Sequence, residues 1–372
     1  MRRQQIPLGR IFGIPIGLDY SWFLIFALIT WALAVSYYPA EFPDWSAALC
    51  WTMGAVTAGM LFASVLLHEL GHSVVAMRFR IPVRSITLFI FGGVAQIGAE
   101  PPSASAEFLV ALAGPVTSLA LAAVFEGLKG LAGGPGPVFG LLEYLAYINF
   151  ALAMFNLIPG FPLDGGRIFR AIVWAVIHDM RRATLVAATV GRVFAFLFIL
   201  FGVWQIFQGH LVNGLWIAFI GWFLDNAANA QVQQVAVQGR LAGHTAGQVM
   251  ERHFPTIPGQ TTLQQLVDEH ILGSGLRSFV VTDATGAAGL MTLHGIKEVP
   301  REAWTTTTAA QVMVPFARVR SVTPDTEVWV ALQEMDRNGV NQLPVVAGGT
   351  VTGMLSRQDV ISLLRTLRDL GA

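Results

Sequence analysis

The sequence predicts a polytopic α-helical membrane protein of about six transmembrane helices, with a membrane-associated β-hairpin and a soluble α+β domain at its C-terminal end. Three observations predict it. Of the 372 residues, 54% are hydrophobic and only 12% are charged, a balance far from that of soluble domains. Apolar runs recur that approach the roughly 20 residues needed to cross about 30 Å of hydrocarbon. Beyond residue 243, short β-rich runs alternate with amphipathic helical patterns.

The first apolar run, 18–38, follows Arg2, Arg3 and Arg10. Ala32-Leu33-Ala34 suits a signal peptidase, but the run starts late and is long for a signal segment, so it reads as an uncleaved anchor. The second run, 49–76, is apolar apart from His68-Glu69-Leu70-Gly71-His72. Residues 83–98 are β-rich, centred on Gly92-Gly93 and too short to cross as a helix. They read either as an interfacial loop or as a hairpin whose edge receives an extended peptide. The third and fourth runs are 108–128 and 138–158, and in the fourth Asn149 reads as a helix-packing hydrogen bond. Pro159, Gly160 and Pro162 then bar a regular helix, and irregular backbone near membrane depth is tolerated where it lines a protein cavity. The fifth run, 185–207, contains Arg192, expected to snorkel to the surface, and the sixth is 211–226.

Basic residues occupy alternate connections. Arg78, Arg80 and Arg84 follow the second run, and Arg167, Arg170, Arg181 and Arg182 follow the fourth. The positive-inside rule therefore puts the N- and C-termini in the cytoplasm, in a prokaryotic cytoplasmic membrane. The domain reading is a membrane domain over 1–226, a polar linker over 227–243 and a soluble domain over 244–372. Formal net charge is zero, which argues against a nucleic-acid partner. The single Cys50 rules out an intramolecular disulfide and a thiolate-rich metal site, so a transition metal must use His, Asp and Glu.

A charged side chain at the centre of a membrane helix costs about 2.5–3.5 kcal/mol on insertion scales, and such groups tend to be functional. His-x-x-x-His sets two imidazoles one turn apart on a single helix face, with Glu69 beside them, in the manner of zinc hydrolases. Read as surface residues, they would leave three costly side chains in lipid for nothing. Catalytic zinc takes three protein ligands and one open position. Asp164 in Asn156-Leu157-Ile158-Pro159-Gly160-Phe161-Pro162-Leu163-Asp164-Gly165-Gly166-Arg167 is the candidate third ligand. It also reads as the N-cap of a helix running from Gly165, and the two roles are compatible.

HELGH in the second run, paired with N-x-x-P-x-x-P-L-D-G-G-R after the fourth, resembles the site-2 protease family of intramembrane zinc metalloproteases. Phe91-Gly92-Gly93-Val94 is similar to that family's hairpin segment, and Ala113-Gly114-Pro115-Val116-Thr117-Ser118 to the glycine motif of its third span. The resemblance covers roughly 9–226. It implies one zinc on His68, His72 and Asp164, with Glu69 as general base and acid, in an endopeptidase that cuts in or near transmembrane segments of membrane-tethered proteins. Asn156 is implied near the scissile carbonyl; its residue type equally suits capping the Pro-rich turn. Phe91, Gly92, Gly93 and Val94 form the candidate substrate strand. The motif around Ser118 reads as close helix packing.

The soluble tail repeats itself: Phe279-Val280-Val281 recurs as Leu343-Pro344-Val345, and Gly289-Leu290-Met291-Thr292 as Gly353-Met354-Leu355-Ser356. It resembles a tandem CBS domain, with repeats at about 245–300 and 308–370. The resemblance implies an adenine nucleotide held by Thr292, Ser356 and Asp359, or else a homodimer formed through the pair. Gly295 stands in the first copy where Asp359 stands in the second, which weakens a first nucleotide site. The alternative for the whole chain is a non-catalytic transporter or channel with a CBS regulatory tail. A transporter would repeat its helical halves or line a path with charge, and neither pattern is present.

Overall fold

Seven helices and four strands make up the first of two compact units, Met1–Val235, in a computed structural model that describes residues 5–134, 136–272, 278–283 and 286–370. Strands β1 (Gln5–Ile11) and β2 (Ile14–Asp19) come first, followed by helices α1 (Ser21–Glu41) and α2 (Ala47–Arg78). The hairpin β3 (Val83–Phe89) and β4 (Gly92–Ile97) leads to α3 (Ala104–Lys129) and α4 (Pro137–Asn156). An amphipathic helix, α5 (Asp164–Ile177), precedes α6 (Met180–Phe207) and α7 (Leu211–Leu241). All except α5 are long and apolar enough to cross a membrane.

Local chemistry sets several of these starts. Ser46, Ser103 and Asp179 stand before α2, α3 and α6, and each side chain accepts a hydrogen bond from a first-turn N–H. Helix α7 continues through residues 227–241, which the sequence suggested as a polar connector. That stretch is rich in Ala, Gln and Val, with no proline and no glycine before Gly239, so nothing stops the helix. Large apolar side chains such as Leu24, Trp31, Phe196, Trp216 and Trp222 stay exposed on the outer faces, as hydrocarbon contact requires and water disfavours.

The sheet runs β1-β2-β3-β4, with β2 parallel to β3 and the other pairs antiparallel. The N-terminal strands merge in sequence with the first apolar run, which is why that run read as beginning at Leu18. Ile14, Ile16 and Ile86 pack on Leu70 of α2, so the sheet lies against the helix that carries the HELGH motif. Gly92 at the hairpin turn has φ +119°, a conformation glycine alone adopts freely.

Polar side chains tie the helices together. Asn149 Nδ2 donates to Ser64 Oγ (3.3 Å), joining α4 to α2 as expected of a packing hydrogen bond. Arg192, whose side chain is exposed, pairs with Asp225 of α7 (3.1 Å). Glu107, wholly buried on α3, forms an ion pair with Arg170 of α5, whose guanidinium also lies over the Phe161 ring. Removing one partner of such a pair leaves a buried charge uncompensated, a loss of about 3–5 kcal/mol. Glu107→Ala is therefore expected to lower the unfolding midpoint in detergent far more than the surface change Glu126→Ala. Equal midpoints would contradict this role.

The second unit, Ala236–Ala372, contains a four-stranded sheet of β5 (Thr256–Pro258), β6 (Ser278–Asp283), β7 (Gly286–Thr292) and β8 (Val314–Pro315). A second hairpin, β9 (Gln342–Ala347) and β10 (Thr350–Ser356), is flanked by α8 (Val328–Asn338) and α9 (Arg357–Asp369). The repeat read from the sequence is visible in the strands. Ser278 and Gln342 open β6 and β9, lie 64 residues apart, and are hydrogen-bonded to each other (2.7 Å). Each copy has its own core: Phe279, Val281 and Met291 in the first, Leu343, Val345 and Leu355 in the second.

Candidate metal centre

The 3.6-residue period of α2 sets His68 and His72 on one face, one turn apart, and both are almost fully buried. Asp164 is brought to them by the irregular segment after α4. Its turns close through main-chain bonds, from Ile158 N–H to Phe155 O (3.2 Å) and from Leu163 N–H to Gly160 O (3.0 Å). Phe161 packs on Ala187 and Ala188 of α6, and Leu163 packs near Ala195. With the segment held down in this way, Asp164 becomes the first residue of α5, where the positive end of the helix dipole favours a carboxylate. Its side chain caps no helix N–H, so the N-cap reading of Asp164 does not hold.

Asp164 Oδ2 lies 3.1 Å from both His68 Nε2 and His72 Nε2, and the two nitrogens are 3.2 Å apart. Among the described residues this is the one cluster of three His, Cys, Asp or Glu side chains with converging ligand atoms. Helix α3 orients both rings from the other side. His72 Nδ1 donates to the Val110 carbonyl (2.7 Å), and His68 Nδ1 meets the Ser118 hydroxyl (2.8 Å). A carbonyl only accepts, so His72 donates from Nδ1, which leaves Nε2 as the nitrogen facing Asp164. Nε2 and the Asp164 carboxylate oxygen, 3.1 Å apart, are therefore the donor atoms the pair can offer a metal cation. Four-coordinate zinc with ligands at about 2.0–2.2 Å has ligand–ligand edges of about 3.3–3.6 Å, close to this triangle. Burial alone would raise the Asp164 carboxyl. The two imidazoles facing it outweigh burial and hold it well below the usual carboxylate range, so it is charged at neutral pH.

Gly114 provides the space. It lies between Val110 and Ser118 at four-residue intervals on α3, and a Cβ there would run into Nε2 of both His68 and His72. The motif packs closely on α2, where Gly71 meets Ala113 and Thr117, and Gly114 in addition keeps clear the space beside the two Nε2 atoms. Glu69, the residue after His68, is half-buried, and its Oε2 accepts a hydrogen bond from Ala95 N–H (3.1 Å).

The remaining candidates fall in different surroundings. Asn156 ends α4, partly buried, and its side chain has no hydrogen-bond partner among the described residues. The Pro-rich turn is closed by main-chain bonds and does not need Asn156 as a cap. Phe91 stacks on Phe223 of α7 (5.0 Å), Gly93 lies over Glu69, and Val94 is exposed opposite Thr87 of β3. Thr292 caps a short helix through Gly295 N–H (3.4 Å). Ser356 and Asp359 form a reciprocal capping box at the start of α9, with Ser356 N–H on Asp359 Oδ2 at 2.8 Å and Asp359 N–H on Ser356 Oγ at 3.2 Å.

Sequence comparison matches residues 56–133 and 135–200 to peptidase family M50 and residues 309–366 to the CBS domain. Rip3 of Mycobacterium tuberculosis, which carries a provisional zinc metalloprotease name, is 36% identical over 371 residues, 98% of this chain and 94% of its own length. A Synechocystis chain with a similarly provisional zinc metalloprotease name is 36% identical over 369 residues, 97% of this chain and 96% of that one. A solved structure of the site-2 protease from Methanocaldococcus jannaschii is 29% identical and covers 61% of this chain and 95% of that chain, with a TM-score of 0.44.

Proposed function

This chain belongs to peptidase family M50, the site-2 protease family, and from that membership we propose that His68, His72 and Asp164 hold its zinc while Glu69 serves as general base and acid. The protein is an intramembrane zinc metalloendopeptidase with a C-terminal CBS domain. The observation that carries the residue assignment is the convergence of two imidazole Nε2 atoms and a carboxylate oxygen within 3.2 Å, with Glu69 next to His68 in the chain. When bound, zinc supplies a Lewis acid that acidifies water and polarises a peptide carbonyl. Glu69 accepts the proton of the attacking water and returns it to the leaving amine nitrogen as the C–N bond breaks. Asn156, with its amide unengaged, donates to the carbonyl oxygen as negative charge builds there.

The substrate is a membrane-tethered protein whose scissile segment must first unwind, because helix carbonyls are already bonded. The Phe91, Gly92, Gly93 and Val94 segment is the strand proposed to receive it, supported by the end position of β4 in its sheet. The arginine pattern supports cytoplasmic termini in a prokaryotic cytoplasmic membrane. Chelation of the purified protein is expected to abolish cleavage of unfolded casein, and zinc is expected to restore it. In the same assay Asn156→Ala should keep its zinc and lose about 10²–10³ in kcat. Cleavage unaffected by chelation would overturn the assignment.

The CBS pair is proposed to modulate this activity by holding one adenine nucleotide in the second copy, or by joining two chains into a homodimer. Ser356 and Asp359 support the nucleotide reading, since both lie at the N-terminus of α9, where main-chain N–H groups and the helix dipole favour phosphate. Calorimetry with ATP and AMP is expected to give one site, lost in Asp359→Ala. Absence of heat with the wild-type chain, together with a concentration-dependent dimer, would favour the dimer.

A further inference from the structure

Two of the contacts that strand β4 makes with the catalytic helix fall on Glu69. The strand order leaves β4 with one side unpaired. Ala95 stands opposite Ile86 of β3 in the ladder, yet its N–H donates to Glu69 Oε2 (3.1 Å). The outward main-chain donor of the strand is therefore spent on the carboxylate. Two residues earlier, on the same side by strand alternation, is Gly93. A Cβ added there would stand 2.6 Å from Glu69 Cγ and 3.3 Å from Glu69 Cδ. Gly93 lies outside the left-handed region of backbone space, so its backbone gives no reason for a glycine. The space taken by the Glu69 side chain does. Leu70, the next residue of α2, is packed in the core that the sheet and α2 share, which fixes the distance between strand and helix.

We propose that β4 is a positioning element for the general base, with Gly93 leaving room for the Glu69 stem and the Ala95 N–H fixing the direction of its carboxylate. The proposal rests on Glu69 being the general base. Neither residue touches the reacting atoms through a side chain; both act through Glu69. A substrate strand on β4 would pair through main-chain groups, which Gly93→Ala keeps, so binding is spared while proton transfer is not. Displacement of a catalytic group by about 1 Å costs on the order of 10²-fold in rate.

The test uses the purified full-length chain with unfolded casein as probe, because an extended chain needs no unwinding before it binds. Gly93→Ala is expected to lower kcat on the order of 10²-fold with KM within about twofold and zinc content unchanged. Ala95→Pro removes the N–H, at an edge position where proline is compatible with a sheet, and is expected to do the same. Ala95→Gly, which keeps the N–H, is expected to lose far less kcat than Ala95→Pro. Adding Gly93→Ala to Glu69→Gln should leave the dissociation constant for casein unchanged. The inference is overturned if Gly93→Ala keeps wild-type kcat, or if its loss appears in KM or in zinc content instead. If Ala95→Pro does not fold, Gly93→Ala decides alone. A fully active Glu69→Gln variant would instead remove the premise that Glu69 is the base, which separates the two failures.

Discussion

Glu69→Gln is expected to retain one zinc per chain and to lose proteolysis of casein by about 10²–10⁴ in kcat, the usual share of general acid–base catalysis. The substitution is nearly isosteric. The amide oxygen of Gln can still accept from Ala95 N–H, so the side chain keeps its place between α2 and β4. The triangle of His68, His72 and Asp164 includes no atom of Glu69, so metal affinity has no reason to fall. What disappears is the capacity to take a proton and give it back. Zinc content by mass spectrometry and initial rates on the same preparation check both halves. Full zinc with activity within tenfold of wild type would assign the proton transfer to another group.

Gly114→Ala should empty the metal centre without unfolding the protein. Alanine in place of glycine inside a helix favours the helix by about 0.8–1 kcal/mol, so α3 has no local reason to loosen. The added methyl, however, falls on Nε2 of both histidines, beside the point where the three ligand atoms converge. The orienting bonds to Val110 and Ser118 lie at Nδ1 on the far side of each ring and are untouched. Loss of one orienting partner of a metal ligand costs about 10–100-fold in affinity; a group set against two ligand atoms is expected to cost at least the upper end. Zinc and proteolysis should vanish together, with the circular dichroism spectrum unchanged and the unfolding midpoint near that of the zinc-free wild-type chain. Stoichiometric zinc in Gly114→Ala would show that the metal lies elsewhere.

The parts of this site that were legible in the sequence are those where polarity conflicts with an apolar setting. His68, Glu69 and His72 stand out because a membrane helix has no other use for them. Asp164 stands out because prolines and glycines interrupt a helix just before it. The six spans were legible for the same reason, through length and apolarity. Other features left no mark of that kind. Val110 contributes a main-chain carbonyl and Ala95 a main-chain N–H, and every residue type carries those groups. Gly114 and Gly93 contribute an absence of atoms, which has meaning only once α3 and β4 are placed against α2. Strands β1 and β2 were hidden because alternating residues such as Ile14, Ile16 and Leu18 run directly into the apolar helix α1. In the soluble unit, Ser356 and Asp359 show how one pattern can serve two ends. The spacing that suggests a nucleotide site is also a helix capping box, and the structure displays the box.

The central claim is that one zinc sits between His68, His72 and Asp164, and the zinc K-edge absorption spectrum of the purified chain tests it most directly. The expected spectrum contains only nitrogen and oxygen neighbours at about 2.0–2.2 Å, with the outer-shell scattering of two imidazoles. A spectrum showing one imidazole or none, or a sulfur neighbour at about 2.3 Å from Cys50, would contradict it.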